Sequence, residues 1–237
     1  MTDEKRAWET VLSRVESDLL DGTLVPGDRL PGERALAAEL GVGRSSVREA
    51  LRVLEVLGLI RTATGSGPGA GAIIVATPRG GMSALLRLQV AAKGFAMHDI
   101  VATRLVLEAS VAEDLARQHP DLTDAEAMLT AMNGDDLTPA EFLALDAQFH
   151  LSLAEATGNA VIAATMAGLR GAIESYVQTG SASIPDWPAT AARLRAEHAR
   201  IVTAIRAGDA DAARSHVRDH ITGYYAQINN GKDASHG

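Results

Sequence analysis

Apolar residues recur at three- and four-residue steps through residues 8–20, with Val11, Val15 and Leu19 on one side, which predicts an amphipathic helix ended by Asp21-Gly22. Val25-Pro26-Gly27-Asp28 reads as a turn, because proline presets one backbone angle and glycine tolerates positive φ. Residues 33–40 predict a short helix with Leu36, Ala37 and Leu40 inward, followed by a tight turn at Gly41-Val42-Gly43. A third helix is expected to be capped by Ser45 or Ser46 and to run to about Leu57, with Val47, Leu51 and Leu54 on one face. The runs 59–63 and 72–76 are apolar or β-branched, and the glycine-rich residues 64–71 separate them, which predicts a two-stranded hairpin. Two short helices at a tight turn followed by a hairpin describe a winged helix-turn-helix.

The pattern changes after residue 77. Thr77-Pro78-Arg79-Gly80-Gly81 reads as linker, and from there the apolar period is helical throughout. Helices are expected over 100–118, 141–156, 160–178, 187–207 and 209–228, with Gly158-Asn159 and Gly208-Asp209 as stop-and-start pairs. Thr123 with Glu126, and Thr138 with Glu141, have the spacing of capping boxes; Pro139 stands at a first helical position. The predicted fold is therefore mainly α: an N-terminal winged helix-turn-helix with a small β-hairpin wing, then an all-α antiparallel helical bundle of six or seven helices. The expected boundaries are 1–76 for the first domain, 77–82 for the linker, 83–229 for the bundle and 230–237 for a disordered tail.

Composition narrows the function classes. The chain has no cysteine, which excludes disulfides and thiolate metal sites. The charged N-terminal stretch lacks the apolar core of a secretory signal, and no apolar run reaches the ~20 residues that span a bilayer, so a cytoplasmic location is expected. The net charge of −8 is unusual for a nucleic-acid binder, but its distribution matters more. Between positions 44 and 61, Arg44, Arg48, Arg52 and Arg61 face only Glu49 and Glu55, a local charge of +2. A focused basic stripe on an acidic body suits a specific DNA binder, because nonspecific affinity scales with the phosphates neutralised.

Leu30-Pro31-Gly32-Glu33-Arg34, Leu40-Gly41-Val42-Gly43-Arg44-Ser45-Ser46-Val47-Arg48-Glu49-Ala50-Leu51 and Leu57-Gly58-Leu59-Ile60 together resemble the DNA-binding domain of the GntR family of regulators. Arg104 with Glu108, Asp146 with Phe149-His150, Gly158-Asn159, Glu197-His198 and His220 are similar to the FCD-type ligand domain of its FadR-like subfamily. The chain departs from the family at Gly32 and Gly43, where serine is usual, at Ile74, where an aromatic is common, and in a longer, more glycine-rich wing.

In such folds the second helix of the turn motif enters the major groove by its N-terminal end, which places Arg44, Ser45, Ser46 and Arg48 at the DNA. The resemblance implies Arg34 there as well, and Gly67 lets the wing backbone approach the minor groove. For Arg52, one turn further along, base contact and a solvated role are equally open.

Asp146 and His150 are four apart and leave one face of a helix. With His198 and His220 from two further helices they form a candidate site for a divalent transition metal such as Zn, Ni or Mn. His216 is an alternative ligand by spacing; the resemblance favours His220. Arg104 can grip a carboxylate effector in a two-pronged salt bridge or pair with Glu108 four residues on. Asn159 can touch effector or serve the turn. His98, His119 and His236 are expected at the surface.

The leading expectation is a repressor that binds a palindromic operator as a homodimer, its affinity set by a small carboxylate effector in a metal-containing bundle. The alternatives are a regulator for which the metal itself is the signal, and a metal-dependent hydrolase. Against the hydrolase, no His-Glu-x-x-His motif is present, and Glu197 points about 100° away from His198 on a helix.

Overall fold

The computed structural model describes residues 6–63, 71–76, 78–134, 136–182 and 184–234. It divides into two compact units, Met1–Met82 and Ser83–Gly237.

In unit 1, α1 (Ala7–Leu20), α2 (Glu33–Leu40) and α3 (Arg44–Val56) precede a hairpin of β1 (Ile60–Ala63) and β2 (Gly71–Ile74). The strands are antiparallel, with Ile60 opposite Ile74 and Ala63 opposite Gly71. The preceding loop joins them: the Leu30 amide donates to the Ala72 carbonyl and the Ile74 amide to that of Asp28, each at 2.9 Å. Val11 and Val15 of α1, Leu36 of α2, Val47, Ala50 and Leu54 of α3, and Ile60 and Ile74 of the hairpin form one buried apolar cluster. Gly41 closes α2 with φ 65°, a left-handed conformation that glycine adopts without steric penalty.

Gly43, not Ser45 or Ser46, occupies the N-cap of α3, and no side chain caps that helix. The helix begins at Arg44, so both serines already lie in its first turn. β2 stops at Ile74, two residues short of the expected end, and Ala76 turns to φ 46°. Gly67 lies outside the described residues.

The expected linker is helical from Pro78, where α4 (Pro78–Ala91) begins; proline suits a helix start, since its missing N–H would be unpaired there anyway. Unit 2 continues with α5 (Met97–Gln118), α6 (Thr123–Met132), α7 (Pro139–Ala156), α8 (Ala160–Ser181), α9 (Trp187–Arg206) and α10 (Ala210–Ala234). The last helix extends to Ala234, through much of the stretch expected to be a disordered tail. The Thr138–Glu141 capping box forms in full at the start of α7. The one expected at Thr123 does not: Leu122 is the N-cap of α6 with no side-chain cap, Thr123 is the first helical residue, and its amide donates at 2.9 Å to the Asp121 carboxylate.

Helix α5 packs on α7, α8, α9 and α10, and α7 on α8. Leu115, Phe142, Phe149, Leu194, Ile201 and Ile221 are buried among them. This arrangement brings the inner faces of five helices to one place in the bundle. Among the described residues no helix is long and apolar enough to cross a membrane.

Candidate metal centre and effector cavity

Asp146 and His150 project from α7, His198 from α9 and His220 from α10. Their ligand atoms all lie within 4.8 Å of one another. The Nε2 atoms of His150 and His220 are 3.1 Å apart, and those of His198 and His220 3.3 Å. Oδ1 of Asp146 is 3.0 Å from His198 Nε2, 3.7 Å from His150 Nε2 and 3.8 Å from His220 Nε2. All three imidazoles are buried. His216 stands outside the cluster, so of the two spacings open in the sequence the fold uses His220.

The carboxylates behind the histidines decide which ring nitrogens point inward. His150 Nδ1 lies 2.6 Å from Glu108 Oε2, and His220 Nδ1 lies 2.9 Å from Glu197 Oε2. An Nδ1–H directed at each of these carboxylates would leave the facing Nε2 atoms as lone pairs. Two lone pairs 3.1 Å apart repel unless a cation or a proton lies between them. Burial, reinforced by Arg170, pushes the His150 imidazolium down to about 3 despite Glu108 and Asp146 beside it, which favours the neutral ring there. Burial and the neighbouring His220 also lower His198.

A divalent ion with bonds of roughly 2.1 Å holds adjacent ligand atoms about 3.0–3.4 Å apart for angles of 90–109°. Three of the separations, 3.0, 3.1 and 3.3 Å, fall in that range and the others are wider, up to 4.8 Å, and the donor set of three imidazoles and one carboxylate suits such an ion. Bound there, it would act as a Lewis acid toward an anionic ligand.

Around the cluster lies a network of buried charge. Arg104 Nε donates to Glu108 at 2.8 Å and Nη1 to the Tyr225 hydroxyl at 2.7 Å. Arg104 thus both pairs with Glu108 and lines the adjoining cavity. Arg170 on α8 donates from Nη1 to Asp146 Oδ2 at 3.2 Å and places Nη2 3.5 Å from Glu108 Oε2. Burial would raise the two carboxyl groups. The opposing pull of Arg104, His150 and Arg170 on Glu108, and of His198, His150 and Arg170 on Asp146, holds both well below the ordinary range.

The cavity has a volume of ≈ 350 Å³. Arg104, Asp146, Arg170, His220, Tyr224 and Tyr225 line its polar end.

Arg170 and Tyr224 escaped the sequence reading, as did the part played by Glu197. Arg170 had a usable signal: it is the sole charge in the apolar stretch 160–173. Tyr224 follows His220 by four positions and so shares its face of α10. Glu197 points away from His198, as expected, yet reaches His220 on the neighbouring helix. Asn159 is a correction: its Oδ1 accepts from the Val161 and Ile162 amides as the N-cap of α8, and it does not line the cavity. It belongs to the turn because Gly158, at φ 70°, reverses the chain just before it. His98 and His119 are exposed, as expected, and His236 lies outside the described residues.

In unit 1, Arg34, Arg44, Ser45, Arg48 and Arg52 are exposed, and Ser46 is half-buried. Glu33 Oε2 sits 3.8 Å from Arg44 and 3.7 Å from Arg48. These are loose, solvated pairs that a phosphate or a base edge can displace.

Residues 8–68 match the family described as bacterial regulatory proteins, gntR family, and residues 99–223 match the FCD domain. The chain is 31% identical over 220 residues to the putative L-lactate dehydrogenase operon regulatory protein of Escherichia coli (strain K12), covering 92% of this chain and 84% of that one. It is 29% identical over 229 residues to the Glc operon transcriptional activator of the same strain, covering 93% and 89%. The solved structure of Streptococcus agalactiae GntR is similar in fold, with a TM-score of 0.61 at 24% identity over 93% of this chain and 100% of that one.

Proposed function

Because the chain belongs to the GntR family of bacterial regulatory proteins and carries an FCD domain, it is a transcription regulator and not an enzyme, and we propose that a small carboxylic acid bound beside a divalent metal in unit 2 controls its affinity for DNA. The observation that carries this reading is the convergence of Asp146, His150, His198 and His220 at a cavity whose same end holds the guanidiniums of Arg104 and Arg170. A buried cation with two arginines beside it attracts an anion of small size.

Zn, Ni and Mn are the candidate ions. The name of the Escherichia coli relative makes L-lactate the first acid to test. Arg44 and Arg48 read base edges, Ser45 and Ser46 present helix-terminal amides to phosphate, and Arg34 supports them. Gly67 lets the wing reach the minor groove. The protein acts in the cytoplasm as a homodimer on a palindromic operator, since two recognition helices one helical turn apart require a two-fold partner. It represses, and the acid releases it.

The test is operator binding by the full chain, metal-loaded and metal-stripped, with and without a panel of carboxylic acids. The expected result is an acid-dependent loss of affinity that disappears in His198→Ala together with the metal. Affinity that follows metal alone, with no acid effect, would make the metal the signal. Acid control that survives in a metal-free His198→Ala protein would overturn the metal's role.

A further inference from the structure

The cavity of ≈ 350 Å³ in unit 2 is larger than a three-carbon acid needs. Six heavy atoms fill no more than about half of it, even at a water's share of roughly 30 Å³ each. The rest of the wall includes Leu143, Ala147, Leu151, Ala167, Gly171 and Val177, with the polar Gln148, Glu174 and Gln178 also lining it. Ala147, Ala167 and Gly171 carry one side-chain carbon or none, which leaves room between α7 and α8 beside the aliphatic Leu143, Leu151 and Val177.

At the polar end of the same cavity, Nε and Nη2 of Arg170 and the hydroxyl of Tyr224 have no hydrogen-bond partner. The Arg170 side chain is 10% exposed and Tyr224 is 7% exposed. Buried donors left unpaired are costly, and an acceptor that arrives with a ligand removes that cost after a small side-chain rotation. Arg104 differs: its Nε and Nη1 are already held by Glu108 and Tyr225. Burial raises the Tyr224 hydroxyl above its ordinary range, so it keeps its proton and can donate.

We propose that the effector is an amphipathic acid whose carboxylate is taken by Arg170 and the Tyr224 hydroxyl, while an apolar body of several carbons lies along Ala147, Leu151, Ala167 and Val177. This rests on the reading of unit 2 as an acid sensor.

Titration calorimetry on the metal-loaded full chain tests it with L-lactate, 2-hydroxybutyrate, 2-hydroxyhexanoate and 2-hydroxyoctanoate, with metal content measured in each sample. Affinity is expected to rise about four-fold per methylene over the early members of the series, as each is buried. Tyr224→Phe is expected to lower the affinity of every acid about ten-fold, the loss of one hydrogen bond to a charged group, with metal content and chain-length slope unchanged. Ala167→Leu is expected to flatten the slope. A flat series in the parent protein overturns the apolar body, and unaltered affinities in Tyr224→Phe overturn the head-group assignment. If either variant fails to fold, the parent series alone decides. Acids that bind with a flat series leave the sensor reading standing without this proposal; a metal-loaded chain that binds no acid removes both.

Discussion

The two units place their charge in opposite ways. The buried cluster of unit 1 is apolar, and the arginines of α2 and α3 stand in solvent. Unit 2 buries Arg104, Glu108, His150, His198 and His220. An exposed charge contributes little to stability, so unit 1 can devote its arginines to a partner without weakening its fold. A buried charge is tolerated only when its counter-charges are in place, so in unit 2 the binding site and the stability of the bundle are one network. Changes to the exposed charges of unit 1 should therefore alter binding and leave folding alone, while changes to the buried charges of unit 2 should alter both.

Acid offers the largest separation. His150 falls from an ordinary 6.5 to about 3 in the fold, so between those values the unfolded chain binds a proton that the folded chain refuses. Stability must then drop as the pH falls through this window, by on the order of 5 kcal/mol for one group shifted this far. His198 is displaced in the same direction and adds to the effect. Unfolding of the metal-free chain followed at pH 7 and pH 4 should show unit 2 losing stability, with unit 1 much less affected. Equal sensitivity of the two units would break the comparison.

Glu108→Ala comes next. It leaves Arg104 and Arg170 buried without their shared counter-charge, and should cost about 3–5 kcal/mol in urea unfolding. A cost below about 1 kcal/mol would mean that the network is solvated in solution, as a surface pair is.

Arg44→Ala should change unfolding by less than about 0.5 kcal/mol, since its pair with Glu33 is loose and exposed. Its discrimination between the operator and a base-substituted operator should fall by about 1–3 kcal/mol, the worth of one bidentate base contact. Retained discrimination would place Arg44 on phosphate or away from the DNA.

Gly32→Ser is the smallest. Gly32 caps α2 with φ −59°, and nothing lies within 4 Å of the position a Cβ would take. Serine there supplies the missing cap and should stabilise unit 1 by a few tenths of a kcal/mol, visible as a slightly higher urea midpoint. A destabilised variant would show that the cap geometry rejects a side chain.

The order of helices and strands and the pairing of Asp146 with His150 could be read from the chain because they are local. A helical period decides which residues share a face, and Thr138 with Glu141 closes a helix end within one turn. Local rules also failed locally: the serines after Gly43 and Thr123 look like caps, but the helices begin one to three residues earlier than their side chains require.

What tertiary packing alone decided is how residues distant along the chain meet. Glu108 and His150 are 42 positions apart and Glu197 and His220 are 23 apart, yet each pair lies within hydrogen-bonding distance. Arg104 looks like half of a surface i,i+4 pair until α10 brings Tyr225 over it. No periodicity along one helix encodes the rotation and depth of its neighbour. Those are set by side chains interlocking in the bundle, and they turn scattered histidines, carboxylates and arginines into a single site.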